Sequence, residues 1–138
     1  MTAATDFPVT IYHNPKCGTS RNVVAMVEAA GYAPTVVEYL KAGWTRELLL
    51  DLSARSGLSV RELMREKGAP AEELGLLADG VADETILAAM IEHPILVNRP
   101  IVVTPKGAAL ARPSEKVFPL LENVPESFTK EDGEVVRR

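Results

Sequence analysis

Cys17 is the single cysteine in a chain of 138 residues, and it sits in the run His13-Asn14-Pro15-Lys16-Cys17-Gly18-Thr19-Ser20-Arg21. One cysteine excludes an internal disulfide, a Cys-x-x-Cys redox pair and a zinc site built from several thiolates, and no metal site is expected. What remains is one thiol able to act as a nucleophile. The loop is polar throughout and lies where a strand should end and a helix begin. The first turn of a helix leaves N–H groups unpaired, and the macrodipole places about half a positive charge there. Both favour a thiolate, and helix N-termini can bring a thiol from about 8.5 down to roughly 3.5–7.5. The same N–H groups can receive an oxyanion, with Gly18 permitting close approach. Thr19 and Ser20 offer hydroxyl donors, and Lys16 and Arg21 add positive charge. The competing reading is a small buried hydrophobe, the state of most free cysteines.

Cysteine phosphatases wrap phosphate with Cys-x5-Arg, whereas Cys17 to Arg21 is Cys-x3-Arg. The loop is too short to encircle an oxyanion, so other residues must hold it. Arginine suits that task because its planar fork pairs bidentately with tetrahedral anions. Arg99 precedes Pro100 at the mouth of a strand, at the end that a parallel-type sheet is expected to set beside the first strand–helix turn. Arg112 closes a hairpin strand just before Pro113, and Arg65 ends a short capped helix. From pattern alone the solvated surface residue is the commoner reading of each, and the sequence does not show that the three converge.

The elements that must position these groups follow from periodicity. Val9 to His13 alternates as a strand and stops at Asn14-Pro15. A helix is predicted from about Gly18 or Thr19 to Ala30, with Val23, Val27 and Ala30 on one face and Gly31 as its stop. Thr35 to Leu40 reads as a second strand, parallel to the first across a right-handed crossover. Thr45 can cap a helix running to Ser56 and ended by Gly57, with Leu48, Leu49 and Leu52 inward. Ser59 and Glu62 have capping-box spacing for a short helix over Val60 to Glu66. Gly68 to Gly80 reads as loop with one helical turn around Glu72. Asp83 can cap a helix with Ile86, Leu87, Met90 and Ile91 on one face, which Pro94 cannot continue. Ile101 to Thr104 and Ala108 to Ala111 form a hairpin about Pro105-Lys106-Gly107. Ser114 can cap a closing helix that Pro119 makes short, kinked or later to start, and the polar tail from Glu122 is expected to fray, although Thr129 with Asp132 three residues on could start a helix.

The predicted order is βαβ, helices, then ββα: an α/β, thioredoxin-like fold with a mixed sheet and a helical insert at about 44–93. One domain over 1–138 agrees with the length. The composition, 46% hydrophobic and 25% charged, is that of a globular protein. A formal net charge of −4 argues against nucleic acid as a partner and requires any anion site to be a local basic pocket. No run approaches the roughly 18 apolar residues that span a bilayer, so no membrane partner is expected. Met1 to Pro8 shows no secretory signal. A reducing cytoplasm, which keeps a thiol free, is the expected compartment.

The block from His13 to Asn22 resembles the signature of the glutaredoxin-linked arsenate reductases, the ArsC family. The similarity continues at Val60-Arg61-Glu62-Leu63-Met64-Arg65, from His93 through Asn98-Arg99-Pro100 to Pro105, and at Arg112-Pro113-Ser114-Glu115. The resemblance implies that Cys17 is the catalytic thiolate and that Arg65, Arg99 and Arg112 hold the arsenic oxyanion. It implies supporting roles for His13, Asn14, Gly18, Thr19, Ser20 and Pro100, with His13 tuning the site's charge and the Arg99–Pro100 bond cis. A structural histidine at a strand end is the alternative for His13. The implied reaction reduces arsenate to arsenite with glutathione as co-substrate, glutaredoxin as partner and no bound cofactor, in a monomer. Position 20, where a Cys-x-x-Cys partner would stand, is Ser20, so the reducing equivalents must come from outside the chain. Two other readings stand beside it: a glutathione-dependent thiol-transfer enzyme of the same fold, and a non-catalytic regulatory binding module.

Overall fold

The computed structural model describes residues 7–67 and 70–137. The expectation for Met1 to Pro8 therefore falls largely outside the described residues, as does the start of the predicted 68–80 loop. Two compact units are present. One holds the chain up to Glu38 and again from Arg99 onward, and the other holds Tyr39–Asn98.

The first unit is built on a four-stranded mixed sheet. It contains β1 (Thr10–His13), α1 (Gly18–Ala29), β2 (Thr35–Glu38), β3 (Ile101–Thr104) and β4 (Gly107–Leu110), in strand order β2-β1-β3-β4. β1 and β2 run parallel, Thr10 against Thr35 and His13 against Glu38. The alternation read in β1 is real: Ile11 and His13 point to the buried face. α1 buries Ser20 together with Val23, Met26 and Val27, and these three apolar side chains pack with Ile11, Val102 and Val117 in the core. Burial of such side chains contributes about 1.5–3 kcal/mol each.

β3 is antiparallel to β1, with Tyr12 opposite Ile101. This corrects the geometry assumed for Arg99. The head of a parallel strand would lie at the start of β1, whereas antiparallel pairing brings the head of β3 to the end of β1. β4 returns beside β3, beginning and ending one residue earlier than predicted.

The closing helix is a 3₁₀ helix, Ser114–Leu120, capped by Pro113 rather than Ser114. Pro119 lies inside it and has no N–H for an α-helical ladder. The tail beyond it does not fray and does not turn helical at Thr129. Ser127–Thr129 (β5) and Val135–Arg137 (β6) pair as an antiparallel hairpin, which buries Val136.

The second unit is mainly helical. β2 ends at Glu38, two residues early, and Tyr39–Ala42 (α2) follows, with the Tyr39 ring fully buried and stacked on Trp44 at 5.1 Å. α3 (Arg46–Ser56) behaves as read: the Thr45 hydroxyl accepts from the Leu48 N–H, and Gly57 ends the helix in the left-handed region. Leu49 and Leu52 are fully buried, while Leu48 is half-buried. α4 (Asp83–Glu92) is capped by Ala82, so Asp83 and Glu84 occupy its first turn, where the dipole favours carboxylates. Ile86, Leu87 and Met90 are buried, but Ile91 is exposed.

The helix predicted over Val60 to Glu66 is only a turn. Both capping-box bonds form, Glu62 N–H to Ser59 Oγ at 3.1 Å and Ser59 N–H to Glu62 Oε1 at 2.8 Å. Met64 then pairs as an isolated bridge with Val97, and the Arg65 N–H donates to Leu96 O at 2.6 Å. These long-range backbone bonds compete with the helix and end it. Residues 70–77 form successive turns rather than one turn in a loop. No helix among the described residues is long and apolar enough to cross a membrane.

Candidate active site

The site is built where β1 gives way to α1. Cys17 is the N-cap residue, extended at φ −98° and ψ 121°, and its N–H donates to Asn14 O at 3.0 Å. Its carbonyl accepts the first helical bond, from the Arg21 N–H at 3.0 Å. No side-chain bond caps α1, yet the backbone N–H of Ser20 faces the sulfur and favours its charged form. The thiolate thus stands where a serine or aspartate oxygen ordinarily satisfies the helix start.

Two arginines complete the surroundings of the sulfur. Arg112 Nη1 donates to Cys17 Sγ at 3.5 Å and to Arg99 O at 3.0 Å. Arg99 adds its charge and a hydrogen bond to the sulfur. Burial by itself pushes the Cys17 thiol up. The Ser20 N–H, then the Arg99 charge, then bonds from Arg112 and Arg99 outweigh burial and hold it below its ordinary value. Both arginines precede prolines across cis peptide bonds, Arg99–Pro100 and Arg112–Pro113. The first matches the implied isomer, and the second was not foreseen.

An open cleft of about 410 Å³ lies over the sulfur. Its walls carry Cys17, Gly18, Thr19 and Asn22 from the loop and α1, Arg99 and Arg112 from the ends of the β3–β4 hairpin, and Lys16, Glu131 and Asp132. Of the residues singled out in the sequence, Lys16, Cys17, Gly18, Thr19, Arg99 and Arg112 therefore meet at one place.

Three others lie behind the cleft. Ser20 was expected to offer its hydroxyl to an oxyanion, but it is fully buried and its Oγ is used inward. That oxygen lies 2.7 Å from His13 Nδ1 and accepts from the Asn14 N–H at 3.1 Å. Asn14 Oδ1 in turn accepts from the Lys16 N–H at 3.0 Å and shapes the loop. Burial lowers the His13 pKa; Glu38 opposes that and Arg21 adds to it. The lowered pKa favours the neutral imidazole, whose Nδ1 can accept a hydrogen bond from the Ser20 hydroxyl. Pro100 is buried next to Arg99. Arg65 belongs to the second unit, after the Met64–Val97 bridge.

Sequence reasoning missed Glu131 and Asp132, because the tail was expected to fray. A signal was available: Asp132-Gly133 between Phe128 and Val135-Val136 is a hairpin turn motif. Arg21 also differs from expectation. It does not stand as an open cation beside Cys17, because Glu131 grips it through two bonds of 2.8 and 2.9 Å.

This architecture and site have known counterparts. A model of the ArsC family matches residues 12–118. The arsenate reductase ArsI1 of Synechocystis is 56% identical over 133 residues, covering 96% of this chain and 92% of its own length. An arsenate reductase of Escherichia coli is 52% identical over 129 residues, 93% of this chain and 92% of its own. In three dimensions, an arsenate reductase from Vibrio cholerae superposes with a TM-score of 0.80 at 43% identity, covering 83% of this chain and 98% of that one. The fold is the α/β, thioredoxin-like one of these proteins. With the family model spanning the Cys17 loop and both site arginines, the chain belongs to the ArsC family.

Proposed function

We propose that this protein is an arsenate reductase in which the Cys17 thiolate is the nucleophile and Arg99 and Arg112 hold the oxyanion. The observation that carries the reading is the cysteine sulfur at the N-cap of α1 with Arg112 Nη1 at 3.5 Å. Family membership and relatives at 50–57% identity that are named arsenate reductases support the same substrate. Cys17 displaces water or hydroxide from arsenate and forms a sulfur–arsenic bond, with arsenic still pentavalent. The arginines neutralise charge on the tetrahedral group as that bond forms. Gly18 and Thr19 bound the space the oxyanion enters.

The finer steps rest on the cysteine count. No second thiol of this chain can resolve the adduct. A glutathione thiol therefore condenses with the arsenic, displacing a second arsenic oxygen as water. Glutaredoxin removes the glutathionyl sulfur as a mixed disulfide, and its two electrons pass to arsenic, now trivalent on Cys17. Hydrolysis releases arsenite and restores the thiolate. Glutathione is thus a co-substrate, with no bound cofactor, and a monomer suffices. A reducing cytoplasm fits, since Cys17 must stay a thiol. His13 keeps the Cys17 loop in shape through Ser20. The role of Arg65 as a third oxyanion ligand rests on its family motif; Arg65→Ala should then raise KM for arsenate and leave the Cys17 titration in place.

The test couples NADPH oxidation to glutathione reductase, glutathione, glutaredoxin and arsenate. Turnover should need all components. Turnover on a glutathione mixed disulfide with no response to arsenate would make the protein a thiol-transfer enzyme instead.

A further inference from the structure

The tail hairpin, beyond the residues that the family model matches, reaches the cleft with a device the thiol chemistry does not use. Its turn carries Lys130 and Glu131 side by side. Arg21 donates to Glu131 from Nε to Oε2 at 2.8 Å and from Nη2 to Oε1 at 2.9 Å. Arg21 Nη1 donates to Pro15 O at 2.8 Å, two residues before Cys17. The Glu131 N–H donates to Asn22 Oδ1 at 3.0 Å. The side chain of Lys130, 9% exposed, pairs with Glu115 at 2.9 Å and with Glu134 at 3.1 Å. Glu115 follows Arg112 by three residues. Adjacent residues of one turn therefore grip the segment after Cys17 and the segment after Arg112.

A half-exposed ion pair contributes little to stability. Its geometry does more. The carboxylate fixes the plane of the guanidinium, which aims the remaining N–H group at the Pro15 carbonyl. A guanidinium held this way cannot turn toward an anion in the cleft, and its charge is balanced.

We propose that Glu131 is a positioning residue for the Cys17 loop: it holds Arg21 on the Pro15 carbonyl and withholds that cation from the oxyanion site. The cleft's charge then rests on Lys16, Arg99 and Arg112 against Asp132, with neutral His13 behind the loop. The proposal rests on the reading of Cys17 as the nucleophile toward an oxyanion. It deepens that reading by limiting which arginines act there.

The test is the pH dependence of Cys17 alkylation by iodoacetamide, with inorganic phosphate as the protecting anion. Neither of these two readouts needs arsenate turnover, so their failure is distinct from a failure of the proposed reaction; turnover enters only as a comparison between the double variant and an active parent. Glu131→Gln keeps the shape and removes the charge, leaving Arg21 unbalanced. Its alkylation midpoint should fall, and phosphate should protect at severalfold lower concentration. Arg21→Gln should do the reverse, and the double variant should return to the parent midpoint while its turnover stays below the parent's. A merely structural hairpin would lower the melting temperature and leave every midpoint unmoved, which overturns the proposal. If Glu131→Gln does not fold, an unmoved midpoint in Arg21→Gln overturns it equally. A double variant with parental turnover overturns the positioning role.

Discussion

Replacing Arg112 by glutamine removes a cation whose Nη1 lies 3.5 Å from the Cys17 sulfur. A unit charge at that distance interacts with a thiolate by about 1.2 kcal/mol at the dielectric constant of water and roughly 5 kcal/mol at an effective constant of 20. Cys17 is itself buried, but the cleft over it is open to solvent, so screening keeps the effect near the lower end, equivalent to about one pH unit. Arg112→Gln should therefore raise the Cys17 alkylation midpoint by about one pH unit. At a fixed pH below both midpoints, the rate with iodoacetamide should fall about tenfold, because only the thiolate reacts. The same substitution loses the bond to Arg99 O and one donor to the oxyanion, so arsenate turnover should fall about 10²–10³-fold. A midpoint equal to the parent's in a folded Arg112→Gln protein would refute the electrostatic account of the thiolate.

Two further outcomes follow from other parts of the structure. The folded-state pKa of His13 is lowered, first by burial. As pH falls below about 6.5 the unfolded chain binds the proton first, so this group's contribution is present above that pH and is lost through the window beneath it. The urea midpoint should drop between pH 7 and pH 5, and the drop should be smaller in His13→Gln; equal drops would contradict the assignment. Gly57 has φ 75° with no atom within 4 Å of an added Cβ, so Gly57→Ala should cost roughly 1–2 kcal/mol of backbone strain alone in urea unfolding. No loss of stability would contradict the left-handed stop.

The part of the site legible in the sequence is the part made by local rules. β1 announces itself by alternation, and Asn14-Pro15 ends it. The helix start puts Cys17 at its cap whatever the rest of the chain does. Thr45 and Gly57 delimit α3 for equally local reasons. What sequence reading missed depends on partners far away in the chain. The Val60 to Glu66 helix fails because Met64 and Arg65 find backbone partners at Val97 and Leu96. Ser20 turns inward because His13, seven residues before it, lies on the buried face of β1. Arg21 is balanced by Glu131, 110 residues on, in a hairpin whose Asp-Gly turn was legible but whose destination was not. The direction of β3 also escaped a reading that knew only strand order.

The central claim is that the Cys17 sulfur attacks arsenate held by the two arginines. Its most direct test is arsenite formation, measured by chromatography, in the presence of glutathione and glutaredoxin. The parent protein should form many equivalents of arsenite per chain, and Cys17→Ser, folded with an unaltered helical spectrum, should form none above the protein-free control. Arsenite production by Cys17→Ser at the parent rate would contradict the account.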